Sequence, residues 1–137
     1  MNKDNKKIYA AIIIIGNEIL SGRTEDTNLS FISKWLNSNG LQVKEVRIIP
    51  DDKATIIRNI NTLRFNFKYV FTTGGIGPTH DDITAESVAK AFKRNYCYHK
   101  EAYKILKNYY KPGEFTEGRK KMAMMPDKAK LIYNPSS

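Results

Sequence analysis

Ile8-Tyr9-Ala10-Ala11-Ile12-Ile13-Ile14-Ile15-Gly16 is an unbroken run of eight apolar residues closed by a glycine. Continuous rather than alternating hydrophobicity is the pattern of a strand covered on both faces, as in the middle of a parallel sheet. The run is well short of the roughly 20 residues a membrane helix needs. Lys3, Lys6 and Lys7 precede it as in a secretory leader, but β-branched Ile dominates where Leu and Ala would be expected. No small-residue cleavage site stands before Asn17-Glu18. The run therefore reads as the first strand of an α/β domain.

Downstream, a polar loop through Asp26 leads into a helical pattern from about Thr27 to Ser38, with Leu29, Ile32, Trp35 and Leu36 on the inward stripe and Asn39-Gly40 as the stop. Leu41 to Ile49 reads as a second strand. Its apolar positions shift phase between Leu41/Val43 and Val46/Ile48, which marks a bulge or a crossing to a second buried face. Pro50-Asp51-Asp52 offers an N-cap to a helix carrying Ile56, Ile57, Ile60 and Leu63. Tyr69 to Thr73 is a third strand, and Ile83 to Lys93 a third helix with Val88, Ala91 and Phe92 inward. This β-α-β-α-β-α order with short connections predicts a three-layer α/β/α domain around a mostly parallel sheet. Further on, the pattern predicts a short edge strand at Tyr96-Cys97-Tyr98, a helix from His99 to Tyr110, a helix from Arg119 to Met125 stopped by Pro126, and a last strand near Lys130 to Tyr133.

The 137 residues are expected to form a single domain. Cys97 is the only cysteine, which excludes a disulfide framework or a thiolate zinc cage and points to a reducing, cytoplasmic setting. With no partner for a metal or a dyad, Cys97 reads as a half-buried thiol. The net charge of +9 is uneven: residues 1–89 hold 11 Lys/Arg and 10 Asp/Glu, residues 90–137 hold 12 and 4. The basic half reads as a solvated face, or as a field that draws an anionic ligand through Arg119, Lys120 and Lys121. No nucleic-acid-reading motif accompanies it, so a nucleic-acid partner is not expected. Met122, Met124 and Met125 read as core filler or a subunit contact.

In an open α/β sheet, ligands bind beyond the carboxyl ends of the strands. Three acidic loops meet at that rim: Gly16-Asn17-Glu18, Asp51-Asp52, and Thr72-Thr73-Gly74-Gly75-Ile76-Gly77-Pro78-Thr79-His80-Asp81-Asp82. Gly74, Gly75 and Gly77 remove the Cβ atoms that keep a ligand from the backbone, and the next helix begins with unpaired N–H groups, a combination suited to phosphate. Asp81 and Asp82 suit a hydrated Mg²⁺ shared with phosphate oxygens. The plainer alternative is that the glycines only turn the chain and Asp82 caps a helix. Neither a Walker A loop nor a G-x-G-x-x-G fingerprint is present.

The stretch Thr72 to Thr84 closely resembles the signature of the molybdopterin-binding (MoaB/Mog-like) domain, and its Gly-Pro-Thr-x-Asp-Asp form is most similar to the N-terminal domain of the CinA family. Gly16 to Arg23 with Asp26-Thr27-Asn28, Pro50-Asp51-Asp52 and Arg119 to Pro126 resemble further family segments in the same order. The resemblance implies a cleft for molybdopterin or a nucleotide such as ATP or ADP-ribose. It also implies Mg²⁺-dependent phosphoanhydride chemistry, as an adenylyltransferase or an ADP-ribose pyrophosphatase, and a role in molybdenum cofactor biosynthesis. Carried over by position, Asp82 and Asp51 are the expected catalytic residues, Asp81 and Asp82 the expected metal contacts. Gly74, Gly75, Gly77, Thr79, Glu18, Asn28 and Arg119 are the expected ligand contacts. Related domains imply a dimer or trimer. The resembling segments continue past the equivalent of Asn134-Pro135-Ser136-Ser137, so a domain truncated at that end, and with it a noncatalytic ligand-binding remnant, is the alternative expectation.

Overall fold

The computed structural model describes residues 6–134. Lys3 of the basic leader and the terminal Pro135-Ser136-Ser137 lie outside the described residues. Strand β1 (Ile8–Ile15) is the axis of a parallel sheet, flanked by β2 (Leu41–Ile49) on one side and β3 (Tyr69–Thr73) on the other. Ala10 to Ile15 are at most 2% exposed, so both faces of β1 are covered as its unbroken apolar run requires. Ala10, Ile12 and Ile14 pack under Leu36 of α2 (Asn28–Ser38), with Leu29 and Ile32 around them. Ala11, Ile13 and Ile15 pack under Ile56, Ile60 and Leu63 of α3 (Lys53–Asn66) and Ala91 of α4 (Thr84–Ala91). Fully burying one such side chain is worth about 1.5–3 kcal/mol, so this strand anchors both layers.

The layering follows from handedness. From β1 the chain moves through α2 to β2, then returns past β1 through α3 to β3. Right-handed crossovers in opposite directions place their helices on opposite faces. Strand order thus reverses at β1, and the crevice beyond the carboxyl ends of β1 and β3 is where such a fold accepts a ligand.

The phase change in β2 is a bulge. Ala10 pairs with Val43 and Ala11 with Glu45, leaving Lys44 as the extra residue. Before it, Leu41 and Val43 join the α2 side; after it, Ile49 joins the α3 side. Arg47 reaches the α3 side too, donating to Oδ1 of buried Asn59 at 2.8 Å, while Asn59 donates to the Thr55 carbonyl. Val46 and Ile48 are left 37% and 44% exposed, so the shift does not carry them to a second buried face.

Several expected details differ. The inward stripe of α2 is Leu29, Ile32 and Leu36; Trp35, one position and about 100° away from Leu36, is exposed. Phe92 caps α4 at the surface beneath the Arg64 guanidinium. Asn17–Leu20, within the expected loop region, form a single turn, α1. After β4 (Tyr96–Tyr98) and α5 (Lys100–Tyr109), the expected helix from Arg119 to Met125 is only α6 (Glu117–Lys121). Met124–Pro126 instead form β5, antiparallel to β4, because the β4 edge offers its backbone and the pairing is extended by the His99 N–H donating to the Ala123 carbonyl. No strand forms at Lys130 to Tyr133: Lys128 takes a left-handed conformation (φ 61°) that turns the chain away, leaving Ile132 and Tyr133 exposed. Cys97 is exposed rather than half-buried. Among the described residues no helix is long and apolar enough to cross a membrane.

Candidate functional site

The end of β1 is fastened to β2 by the Gly16 N–H, which donates to the Ile49 carbonyl at 3.0 Å. The chain then turns at once into α1, whose first turn carries Glu18, half-buried at the rim. Across β2, the two aspartates divide their work. Asp52 caps α3, accepting from the Thr55 N–H and hydroxyl, and these bonds hold its carboxyl below its ordinary value. Asp51 is left to face the cleft.

The glycine loop after β3 is built around two left-handed residues, Gly74 (φ 91°) and Gly75 (φ 68°). A Cβ on Gly74 would strike the Ile15 carbonyl, and one on Gly75 the Thr84 hydroxyl. These glycines let the β3 loop lie directly against the end of β1, which draws the rim together. Thr84, buried at the start of α4, donates its hydroxyl to the Gly74 carbonyl at 2.8 Å and its N–H to the Gly75 carbonyl at 3.1 Å. The first N–H of α4 is therefore committed to the loop itself, not open to a phosphate as expected.

Asp82 closes the loop. Its Oδ2 accepts from the Thr79 N–H at 2.9 Å and the Thr79 hydroxyl at 2.8 Å. Partial burial pushes its carboxyl up, but the Thr79 bonds, the Gly77 backbone and the Lys121 charge together hold it below the ordinary aspartate value. Asp81 stands exposed, its Oδ1 3.2 Å from Nε2 of the still more exposed His80.

These loops enclose a polar cleft of about 390 Å³, lined by Ile15, Gly16, Asn17, Glu18, Arg23, Asp51, Gly75, Asp81 and Asp82. Five of the expected site residues thus meet: Glu18, Asp51, Gly75, Asp81 and Asp82. Thr79 is exposed within the loop as the partner of Asp82, and the Gly74 carbonyl accepts from the Thr84 hydroxyl. Gly77 touches a second cavity next to the same loop. Asn28 opens α2 on the surface, and Asp26 caps that helix at the Leu29 N–H. Neither Asn28 nor Arg119 lines the cleft. Arg119 is turned onto the Tyr110 ring, 4.4 Å from its centroid, and donates to the Glu114 carbonyl.

Sequence reasoning missed Arg23, which brings the cleft a guanidinium; its signal was a lone cation in a loop otherwise holding Glu18, Glu25 and Asp26. Lys121, expected only as part of a basic field drawing an anionic ligand, instead braces the glycine loop. Of the three basic residues on α6, Lys120 pairs with Glu117, and only Lys121 reaches the glycine loop, donating to the carbonyls of Thr79 (2.7 Å) and Asp82 (2.8 Å). Gly118 lets α6 come that close, since a Cβ there would meet the Pro78 carbonyl at 2.7 Å. Among the described residues, no group of three or more His, Cys, Asp and Glu side chains is arranged to hold a metal ion.

Comparison with known proteins identifies the family and the fold. Residues 11–135 match the family described as "Probable molybdopterin binding domain". A protein of Thermoplasma volcanium is 40% identical over 126 residues, covering 92% of this chain and 49% of the relative. One of Aeropyrum pernix is 40% identical over 128 residues, covering 92% and 48%. The chain thus spans about half the length of these relatives. The crystal structure of the protein CinA, described as of unknown function, from Thermoplasma acidophilum superposes with a TM-score of 0.88 at 35% identity, covering 98% of this chain and 79% of that one. The tungsten cofactor synthesizing protein MoaB from Pyrococcus furiosus, at 24% identity and a TM-score of 0.59 over 80% of this chain and 67% of that one, shares the fold.

Proposed function

This chain belongs to the family of probable molybdopterin binding domains, and we propose that its rim cleft binds a molybdopterin or nucleotide ligand and acts with Mg²⁺ on a phosphoanhydride. The observation that carries this reading is the convergence of Glu18, Asp51, Asp81 and Asp82 with Gly75 in one cleft. Four carboxylates against the single Arg23 guanidinium repel a bare phosphate; a hard divalent cation between them turns that repulsion into attraction.

The donor set fits Mg²⁺. The carboxylates that line the cleft are hard oxygen donors, the kind Mg²⁺ takes one or two at a time while water and phosphate oxygens complete its shell. Bound there, Mg²⁺ would neutralise charge at the bond being broken. Asp51 and Asp81 face the cleft as the groups to hold it, Asp82 fixes the loop and contributes charge, and Arg23 is placed to meet a phosphate oxygen. The Gly74-Gly75 turn lets the ligand approach the backbone.

The setting we infer is molybdenum cofactor biosynthesis, inside the cell, with the domain assembled as a dimer or trimer. Phe31 and Trp35, both exposed and four residues apart on α2, form a neighbouring apolar pair that supports self-association. Sedimentation of the purified chain reads the stoichiometry directly.

Incubation with ATP plus a molybdopterin precursor, and separately with ADP-ribose, each with Mg²⁺, tests the chemistry. Adenylyl transfer releases pyrophosphate from ATP; pyrophosphatase action releases AMP from ADP-ribose. Asp51→Asn is expected to lower turnover at least about 100-fold while the fold persists. A second reading, a binding domain without turnover, is favoured by the commitment of the Asp82 carboxylate to Thr79. Mg²⁺-dependent binding with no product from either substrate selects that reading.

A further inference from the structure

Beside the polar cleft lies a second cavity of about 180 Å³, and the two share Gly75 and Asp82 in their walls. Apart from Gly77 and the Lys121 side chain, its other walls are of a different character. Ile76 and Ala85 come from the loop and α4, Tyr96 from β4, and Met122, Met124 and Met125 from the segment after α6. The three methionines are half-buried, each leaving part of its surface open. Among the described residues they are the only methionines, and all three line this cavity.

Resting on the proposed function, the geometry points to this cavity as the subsite for the planar heteroaromatic ring of the ligand, with the glycine loop as the bridge to its phosphate in the polar cleft. Thioethers are unbranched and polarizable, and they make favourable contacts with aromatic rings. The Tyr96 ring adds a flat wall. Its phenol, a hydrogen-bond donor at neutral pH even at the ordinary tyrosine value, is pushed further up by burial and by the charges of Glu86 and Tyr98. Ligand pockets commonly combine such apolar walls with a few placed polar groups.

The position of the cavity rests on Lys121. Its bonds to the Thr79 and Asp82 carbonyls hold α6 against the glycine loop, and β4–β5 pairing fixes the methionines that follow. A ligand with both ring and phosphate would lie across Gly75, with its charged end towards Asp51 and Asp81 and its flat end among the methionines. A ringless phosphate would occupy one side only.

The test is nuclear magnetic resonance on protein labelled with ¹³C at the methionine methyl groups and ¹⁵N at the backbone, with Mg²⁺ present throughout. Three probes are titrated: neopterin monophosphate, AMP and ribose 5-phosphate. Ring currents are expected to move the methyl signals of Met122, Met124 and Met125, with Met1 as reference, for at least one ring-bearing probe but not for ribose 5-phosphate. Response to one ring-bearing probe alone names the ring as pterin or purine. If the Gly75 and Gly77 amides move while all three methyl signals stay in place, the subsite is wrong and the proposed function stands. If no probe moves either set, both are overturned.

Discussion

The Lys121 ammonium donates to the backbone carbonyl of Asp82 at 2.8 Å, so a residue 39 positions later in the chain holds the turn that Asp82 closes. The same ammonium reaches the Thr79 carbonyl at 2.7 Å. One cation thereby joins the small β4–β5 unit to the rim of the main sheet.

Replacing that cation tests the join. Lys121→Met is expected to lower stability by about 1.5–3 kcal/mol, the range for hydrogen bonds involving a charged group, while Lys121→Arg retains part of it. Urea denaturation reads the change. A Lys121→Met protein as stable as the parent would show that α6 is held by other contacts.

The glycine turn makes a graded prediction. Gly113→Ala, at φ 85° with open space around it, should cost only the left-handed strain of about 1–2 kcal/mol. Gly74→Ala adds a collision with the Ile15 carbonyl, for which overpacking contributes about 1–3 kcal/mol more. Gly75→Ala meets the Thr84 hydroxyl instead, so Thr84→Ala in the same chain should recover part of its loss. Thermal melts of the set check the order, and equal costs at Gly74 and Gly113 would contradict the close approach of loop and strand.

Arg47 tests the bulge. Arg47→Met leaves Oδ1 of buried Asn59 without its donor, an expected cost of about 1–3 kcal/mol. Adding Asn59→Leu removes the stranded group, and the double variant should be more stable than Arg47→Met alone. A double-mutant cycle by chemical denaturation gives the coupling; additive effects would mean that the pair does not interact.

Much of the main sheet was legible because one short-range signal repeats. The Ile8–Ile15 run, the caps at Asp52 and the stop at Asn39-Gly40 each act within a few residues, and the phase shift around Lys44 is visible in the sequence itself. The C-terminal part was misread because long-range pairing decides it. Met124–Pro126 extend because β4 offers an edge, and the helical spacing of Arg119 to Met125 carries no trace of that partner. At the site, the loops could be assigned to the rim from strand ends alone. The roles of Lys121 and Thr84 depend on which backbone carbonyls come near, and Arg119 was drawn off by Tyr110 and Glu114.

Acid should loosen the glycine loop. The Asp82 carboxyl is held below its ordinary value in the folded state, so its contribution to stability is full above the ordinary aspartate value of 3.8 and is lost as pH falls through the lower folded value. The protection of the Thr79 amide, its exchange measured against the intrinsic rate at each pH, is expected to fall in that acid range. In Asp82→Asn this step should vanish, and a step that persists there belongs to another carboxylate.

Calorimetric titration of the purified chain with ATP, ADP-ribose and a molybdopterin precursor, each with and without Mg²⁺, tests the proposed cleft most directly. Binding of at least one of these that requires Mg²⁺ and is weakened tenfold or more by Asp51→Asn is the expected result. Equal binding without Mg²⁺, or none from folded protein to any of the three, would contradict a carboxylate cleft built for a metal-bridged phosphoanhydride.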